Sequence, residues 1–341
     1  MEARAGFALA DLRRPLIAAP MAGGPTTPAL VVAAGAAGGL GFLAAGYKSV
    51  AAVADEVDRV RAAGTDAFGV NVFVPDPAPT DLEAARSYRD ALAAEARRRG
   101  VDLPDPRPDD DGFAEKLALL LDARVPAVSF TFGCPDADAV ARLRGVGTLT
   151  LATVTSADEA RVAVAAGVDA LVVQGPAAGG HRATFDVAAA HPTASLADLH
   201  AEIAVHTDLP LVVAGGLTAP KEVAPWLDRA AAVQVGTALL DTDEAGTNPA
   251  HRAALRDPRF TRTRVTRAFS GRWARGLANR FVEEFTDLAP AAYPAVNQLT
   301  APLRAAAARA GDADGLALWA GTSWRATPRG SVAEVFEGLI G

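Results

Sequence analysis

The sequence contains a single cysteine, Cys134, few aromatic residues and no long uninterrupted apolar run. One cysteine excludes an internal disulfide, which suits a reducing compartment, and we expect a cytoplasmic protein. Basic residues number 33 against 40 acidic ones, and the net charge of −7 argues against a nucleic-acid or membrane-surface partner. The C-x-x-C, H-E-x-x-H, G-x-S-x-G and Walker patterns are also missing, so zinc, hydrolase and nucleoside-triphosphate chemistry have no support.

An uncharged segment near the N-terminus raises the question of a membrane span or a twin-arginine signal. No charge occurs from Pro15 to Tyr47, and Arg13 and Arg14 stand directly before this segment. Prolines and glycines interrupt its apolar runs well before the ~20 residues that a spanning helix needs. We therefore expect buried strands and a helix here, with no targeting segment and no membrane contact.

Half of the residues are apolar, and apolar segments alternate with helical patterns over the first two thirds of the chain. Continuous apolar strands of this kind are typical of a parallel sheet that is covered on both faces. Eight such units predict an α/β fold of the TIM (β/α)8 barrel type. An open doubly wound sheet is the alternative, but its G-x-G-x-x-G fingerprint is absent from the first strand-to-helix turn. The predicted strands are 16–19, 40–44, 68–74, 127–132, 148–154, 170–173, 210–214 and 232–235.

Two regions depart from the strand-helix alternation. Residues 76–112 are rich in proline, aspartate and arginine, and we interpret them as an insertion containing a polar helix. Residues 246–341 are predicted to be mainly helical, so that 1–75 and 113–245 form the barrel and the two other regions form a cap over its catalytic end. The predicted helices of the C-terminal region are 249–255, 275–285, 296–309 and 332–339.

His181 is the strongest candidate for a catalytic residue. It follows Gly179 and Gly180 in a loop after the sixth predicted strand, and active sites of TIM barrels lie at the carboxyl ends of the strands. An imidazole with an ordinary pKa near 6.5 can act as a general base close to neutral pH. The other four histidines are assigned ordinary surface or packing roles, and Cys134 is interpreted as a small filler residue rather than a nucleophile.

Glycines after the last two strands predict a phosphate site. Gly215 and Gly216 follow the seventh strand, and Gly236 and Thr237 follow the eighth. Glycine loops allow backbone N–H groups to converge on an anion, and Thr237 adds a hydroxyl donor. Either pair alone is explained as the end of a strand, whereas the two pairs on adjacent strands favour a phosphomonoester that is held mainly by the backbone.

Two amide side chains at strand ends leave a choice open. Asn71 lies within the third strand and Gln174 ends the sixth, and a buried amide needs hydrogen-bond partners. A neighbouring loop or a bound heterocycle such as an isoalloxazine could supply these partners equally well.

Motifs in this order resemble the nitronate monooxygenases, formerly called 2-nitropropane dioxygenases. They run from the first strand nearly to the C-terminus, and the segment Gln174-Gly-Pro-Ala-Ala-Gly-Gly-His181-Arg182 is the most specific of them. The others are Pro20-Met-Ala-Gly-Gly24, Gly69-Val-Asn-Val-Phe73, Val128-Ser-Phe-Thr-Phe-Gly133, Ala214-Gly-Gly216, Gln234-Val-Gly-Thr237, Phe269-Ser-Gly-Arg272 and Ala274-Arg-Gly-Leu-Ala-Asn-Arg-Phe281.

The resemblance implies an FMN-dependent barrel that oxidises alkyl nitronates with O₂ and acts as a monomer or a homodimer. It implies that His181 is the catalytic base. It also implies a flavin site lined by Pro20, Met21, Ala22, Asn71, Gln174, Gly179 and Gly180, with the phosphate at Gly215, Gly216, Gly236 and Thr237.

Two departures from the family pattern concern the substrate pocket. The family often has a histidine where this chain has Thr131, and a histidine pair where it has Asn297 and Gln298.

The expected reaction converts a nitronate to a carbonyl compound and nitrite, and it extends to nitroalkanes if His181 first removes the proton α to the nitro group. Arg182 is expected either to steady the nitro oxygens or to be an exposed structural residue. A related barrel that takes hydride from NAD(P)H, such as an enoyl-thioester or quinone reductase, is the competing interpretation, because similar folds carry both chemistries. A flavin-binding barrel without turnover is a third one, which His181 disfavours.

Overall fold

Eight apolar segments form a closed parallel barrel in the computed structural model, which describes residues 7–341. The first barrel strand pairs on one side with the second, Ile17 opposite Leu40, and on the other with the last, Ile17 opposite Gln234. This closure confirms the predicted TIM barrel and excludes the open sheet. The strands of the chain are β1 (Leu16–Ala18), β2 (Leu40–Ala44), β3 (Gly69–Phe73), β4 (Ala127–Thr131), β5 (Leu149–Val154), β6 (Ala170–Gln174), β7 (Gly180–His181), β8 (Leu211–Ala214), β9 (Ala232–Val235), β10 (Thr263–Thr266) and β11 (Ala274–Leu277).

The barrel consists of β1 to β6, β8 and β9, while β7, β10 and β11 form a second, antiparallel sheet. Side chains that alternate along the barrel strands, among them Ile17, Phe42 and Val172, fill its interior. The helices are α1 (Pro28–Ala36), α2 (Val50–Ala62), α3 (Leu82–Ala91), α4 (Ala93–Arg99), α5 (Phe113–Ala123), α6 (Ala137–Gly145), α7 (Ala157–Ala166), α8 (Leu196–Ala204), α9 (Pro220–Val223), α10 (Pro249–Ala254), α11 (Arg280–Phe285), α12 (Ala295–Arg309) and α13 (Val332–Ile340). Within residues 7–341, no helix combines the length and apolar character needed to cross a membrane.

Local sequence signals explain where several of the helices begin. The Thr27 side chain accepts from the Leu30 amide at the start of α1, and Pro28 occupies the first helical position, where its missing N–H costs no hydrogen bond. Ser49 caps α2 in the same way. These caps end each strand-to-helix loop at a defined residue and so fix the loops at the catalytic end of the barrel.

The 76–112 insertion packs against the C-terminal region. One apolar cluster contains Tyr88 of α3, Leu92 directly after α3, and Leu299 and Leu303 of α12. The Tyr88 hydroxyl also donates to the Ala268 carbonyl. Burial of these large side chains contributes roughly 1.5–3 kcal/mol each. The insertion and α12 are thereby joined into one layer beside the mouth of the barrel.

The last helix lies elsewhere. In α13, Phe336 is fully buried in a cluster with Leu16 and Leu30, so this helix covers the outside of the barrel beside α1. The division of the chain into a barrel and a cap stays a prediction, and residues 1–6 of its first part lie outside the described residues.

One predicted helix was wrong in its first half. Instead of a helix over 275–285, the chain forms β11 and then α11, and Asn279 caps α11 by accepting from the Val282 amide. Strand β11 pairs with β10 on one edge and with β7 on the other, Ala274 opposite His181. This sheet therefore attaches the His181 loop to the C-terminal region.

Candidate active site

A cavity of about 370 Å³ lies at the carboxyl ends of the barrel strands. Residues of β7 and of α12 contribute to its lining. Every residue predicted for the site lines this single cavity. They are His181, Pro20, Met21, Ala22, Asn71, Gln174, Gly179, Gly180, Gly215, Gly216, Gly236 and Thr237.

The glycines after β8 and β9 form a concave backbone surface. Gly215 and Gly216 have φ angles of +112° and +76°, which L side chains rarely adopt, and a Cβ on Gly216 would lie 2.8 Å from the Ala177 Cβ. Within the described chain, the amides of Gly215, Gly216 and Gly236 donate to no backbone carbonyl. The Thr237 hydroxyl accepts from the Gly321 amide at 2.9 Å. This surface can therefore offer free N–H groups to an anion.

The His181 imidazole is placed by β7 and by the segment before β11. Its Nε2 lies 2.8 Å from the Ser270 Oγ, and its ring contacts Phe132 edge-on at 5.6 Å. Burial, and then the charges of Arg272 and Arg304, lower the pKa of His181 to about 3. The imidazole is therefore neutral at neutral pH, the form that a base requires.

Gln174 holds the His181 loop with both atoms of its amide. The Nε2 donates to the His181 carbonyl at 3.0 Å, and the Oε1 accepts from the Ala183 amide at 3.1 Å. Of the two sources of hydrogen-bond partners considered for Gln174, a neighbouring loop or a bound heterocycle, the structure shows the loop. Gln174 positions the loop that carries the imidazole.

Arg182 does not face the cavity. Its side chain is fully buried and donates to the carbonyls of Gly175 and Gln174, the latter at 2.9 Å. The contact with nitro oxygens was therefore wrong, because Arg182 does not line the cavity. The structural role is what the hydrogen bonds show, but the side chain is buried rather than exposed. It fastens the end of β6 beneath the His181 loop.

Asn71 also has a structural partner. Its Nδ2 lies 2.9 Å from the Ser129 Oγ and 2.9 Å from the Thr131 Oγ1 on the adjacent strand β4. Thr131, which stands where the family often has a histidine, lines the cavity and ties β3 to β4.

Several lining residues were not singled out from the sequence. Tyr47 and Phe132 follow β2 and β4 with φ angles of 67° and 75°, a strained conformation for non-glycine residues that is frequent at functional sites. Tyr293, Trp319 and Phe132 surround His181. Nothing in the local sequence signals the positive φ angles, because they depend on how the loops are packed together.

Arg304 on α12 is another lining residue that sequence reasoning missed. Its Nη2 donates to the Asn297 carbonyl at 3.0 Å and to the Asn297 Oδ1 at 2.7 Å. Gln298 exchanges two hydrogen bonds with the backbone of Arg107 in the insertion. The pair that replaces the family's histidines thus orients an arginine and holds the insertion in place.

Cys134 and two of the remaining histidines were assigned packing roles from the sequence. Burial raises the pKa of the Cys134 thiol to about 12, so it stays protonated, and it packs beside Val140 and Val154 as a filler residue. His200 packs on Trp226 with ring centroids 5.2 Å apart. His251 differs in being buried at the edge of the cavity, where burial lowers its pKa to about 4.

A closed parallel barrel with glycine loops and a neutral imidazole at its mouth defines a TIM-barrel enzyme. The sequence matches the model of the nitronate monooxygenase family over residues 8–341. A probable nitronate monooxygenase of Staphylococcus aureus strain Newman is 35% identical over 324 residues, which cover 92% of this chain and 90% of that protein.

Solved structures agree with this assignment. Nitroalkane oxidase from Streptomyces ansochromogenes superposes with a TM-score of 0.93 at 47% identity, over 97% of this chain and 96% of that one. FabK from Thermotoga maritima has a TM-score of 0.75 at 21% identity over 97% and 93%, a likeness that concerns the fold alone. The chain belongs to the nitronate monooxygenase family, and it is a flavin-dependent oxidoreductase.

Proposed function

We propose that this enzyme is an FMN-dependent monooxygenase that converts alkyl nitronates and O₂ to a carbonyl compound and nitrite. One observation carries the proposal. The neutral His181 imidazole and the glycine surface after β8 and β9 line the same cavity. Location in the cytoplasm and a monomeric or homodimeric state stay predictions.

The residues of the cavity fit FMN. A volume of about 370 Å³ lies within the range of roughly 300–1,000 Å³ that is usual for cofactor sites. The φ angles of Gly215 and Gly216 and the missing Cβ atoms leave their N–H groups open to a phosphate. Gly236 and Thr237 would complete that phosphate site, and Met21, Asn71, Gly179 and Gly180 would border the ring. A flavin bound there supplies the transfer of electrons from the substrate to O₂.

The protein's own contribution concerns protons and orientation. His181 is neutral, so its imidazole can take the proton from the carbon α to a nitro group, a step to which a positioned base typically contributes ~10²–10⁴-fold. Arg272 and Arg304 disfavour the imidazolium that this step forms. The low pKa therefore favours nitronates, which need no deprotonation, over neutral nitroalkanes as substrates.

Substitution of His181 tests this assignment. We expect His181→Asn to lose turnover of neutral nitroalkanes and to keep much of its activity on preformed nitronates, because only the former require a base. Steady-state O₂ consumption with a nitroalkane and with its nitronate measures both activities. The exposed His206 supplies a matched control, His206→Asn, which should retain both. An equal loss on both substrates in the His181 variant would contradict the role as base.

Anaerobic mixing separates this function from the NAD(P)H-dependent reductase. Loss of the oxidised flavin absorbance on addition of a nitronate, with no change on addition of NADH or NADPH, is the expected result. Rapid bleaching by a nicotinamide and none by a nitronate would instead assign the enzyme to the reductases.

A further inference from the structure

Arg304 is the only permanently charged side chain among the residues that line the cavity in the described chain. No aspartate, glutamate or lysine contributes to this lining. Within residues 7–341, no carboxylate forms an ion pair with Arg304 within 4.0 Å. Arg304 is half-buried, and since a charge that loses contact with water is costly unless it is paired, a guanidinium in this position favours an anionic partner.

The guanidinium is held in a fixed orientation and is not fully satisfied. Asn297 accepts twice from the Arg304 Nη2, at 3.0 and 2.7 Å, whereas the Arg304 Nε is buried and has no hydrogen-bond partner among residues 7–341. Burial lowers the pKa of Arg304. An arginine that its neighbours orient in advance loses less conformational freedom when it binds an anion.

Arg304 also acts on the same part of the cavity as His181. Burial lowers the pKa of His181, and the charge of Arg304 adds to this effect. Burial raises the pKa of the Tyr47 phenol, and the charge of Arg304 opposes that rise. The other cation near the imidazole, Arg272, already has an acidic partner, because its Nη2 lies 3.3 Å from the Asp76 Oδ2. Of these two cations, only Arg304 is available to a ligand in the cavity.

We propose that Arg304 binds the substrate through a planar, resonance-stabilised anion, which we identify as the two oxygens of the nitronate group. This inference rests on the proposed function, since it names the substrate form that the same site recognises. The Arg304 Nη1 group has no donation to Asn297, so its N–H groups can form a charge-assisted hydrogen bond to a nitronate oxygen. A neutral nitro group would bind the same guanidinium much more weakly, because it carries no net charge. Arg304 thus takes the role that Arg182 cannot fill.

A carboxylate elsewhere on the substrate has the same chemistry as a nitronate, and the experiment separates the two sources. Nitrite and a simple alkyl nitronate carry no carboxylate, whereas a nitronate with a terminal carboxylate carries both groups. The holoenzyme is titrated with nitrite, and the Kd is read from the change in the flavin absorbance spectrum. The KM is then measured for both nitronates.

For Arg304→Gln we expect the Kd of nitrite and the KM of both nitronates to rise on the order of 10- to 100-fold, the range of a lost charge-assisted hydrogen bond. Arg304→Lys should recover part of the affinity. Arg309→Gln, which changes an exposed arginine on the same helix, should leave all three values unchanged. Flavin content and thermal melting confirm that each variant is folded.

An unchanged nitrite Kd and an unchanged KM for the simple nitronate in Arg304→Gln would overturn the inference. A rise confined to the carboxylate-bearing nitronate would overturn the nitronate assignment and transfer the contact to the carboxylate. Because nitrite binding is measured without turnover, these results are independent of the proposed reaction. If the wild-type enzyme oxidises nitronates and Arg304→Gln leaves the nitrite Kd unchanged, only the role of Arg304 is contradicted. If the wild-type enzyme oxidises no nitronate but Arg304→Gln abolishes nitrite binding, only the proposed function is contradicted.

Discussion

Two arginines at the mouth of the barrel show how surroundings decide the role of a residue. Arg182 is fully buried and donates to the carbonyls that end β6. Arg304 lines the cavity, and no acidic residue of the described chain forms an ion pair with it. A structural arginine and a ligand-binding one should respond differently to substitution.

We expect Arg182→Met to lower the free energy of unfolding and to leave anion binding intact. The substitution removes the Arg182 donor from the Gln174 carbonyl, while the Gly175 carbonyl keeps the Ala178 amide as a donor. An unsatisfied buried group costs about 1–3 kcal/mol. Urea denaturation measures the stability, and titration with nitrite measures the binding. A nitrite Kd raised as strongly as in Arg304→Gln, with stability unchanged, would show that Arg182 is a ligand after all.

For single residues, the sequence predicts which residues lie at the site better than it predicts which contacts their side chains make. The twelve residues that it predicts for the site line one cavity, because the strand ends of a barrel converge, and their roles stay predictions. It left open whether Gln174 bonds a loop, since the answer depends on the path that brings the His181 carbonyl and the Ala183 amide back to it. It misplaced Arg182 because the side-chain direction after Gly180, with its φ of +73°, does not follow strand alternation.

The loop between β6 and β7 is the element that positions the imidazole, and it packs tightly on the C-terminal region. A Cβ on Gly179 would lie 2.4 Å from the Gly321 amide nitrogen and 2.8 Å from the Ala320 Cα. Both are backbone atoms that cannot rotate away. This contact couples the His181 loop to the segment after β11.

Gly179→Ala should therefore lower stability by about 1–3 kcal/mol, the usual cost of overpacking, and reduce the flavin retained after purification. Denaturation curves and the ratio of flavin to protein measure the two effects. The control is Gly338→Ala in α13, where no atom lies within 4 Å of the new Cβ and a helical alanine is favoured by roughly 0.5–1 kcal/mol. The changes in stability of the two variants should therefore have opposite signs. Normal stability and flavin content in Gly179→Ala would refute the role of this contact.

The hairpin of β10 and β11 was the element that sequence reasoning missed. Arginine and leucine favour helices, so the sequence predicts one helix over 275–285 in spite of Gly276. Pairing with β10 and β7 overrides this preference, and such pairing is decided by segments distant in the chain. Asn279 was the available signal, since an asparagine before Val282 marks the start of a helix there.

Across the whole molecule, the barrel was predictable and the covering layer was not. Each strand-helix unit is local and repeats one pattern, so alternation and caps were sufficient. The layer over the mouth depends on contacts such as Thr80 with the Tyr293 carbonyl and Arg99 with Asp312, which are separated by 213 residues each. No local pattern reports them.

The histidines of the whole molecule predict how stability depends on pH. Burial lowers the pKa of His181 to about 3 and those of His191 and His251 to about 4 each. Unfolded histidines titrate near 6.5, so below that pH the unfolded chain binds more protons and the free energy of unfolding falls as the pH falls. Each of the three contributes up to about 1.4 kcal/mol per pH unit between pH 6 and 5, above the range in which ordinary carboxylates titrate.

Urea denaturation across this interval, at constant flavin content, should show this loss of stability. His251→Gln should reduce the slope of stability against pH by about one proton, because glutamine does not titrate. A stability that does not change between pH 6.5 and 5 would contradict the burial of these imidazoles in their neutral form.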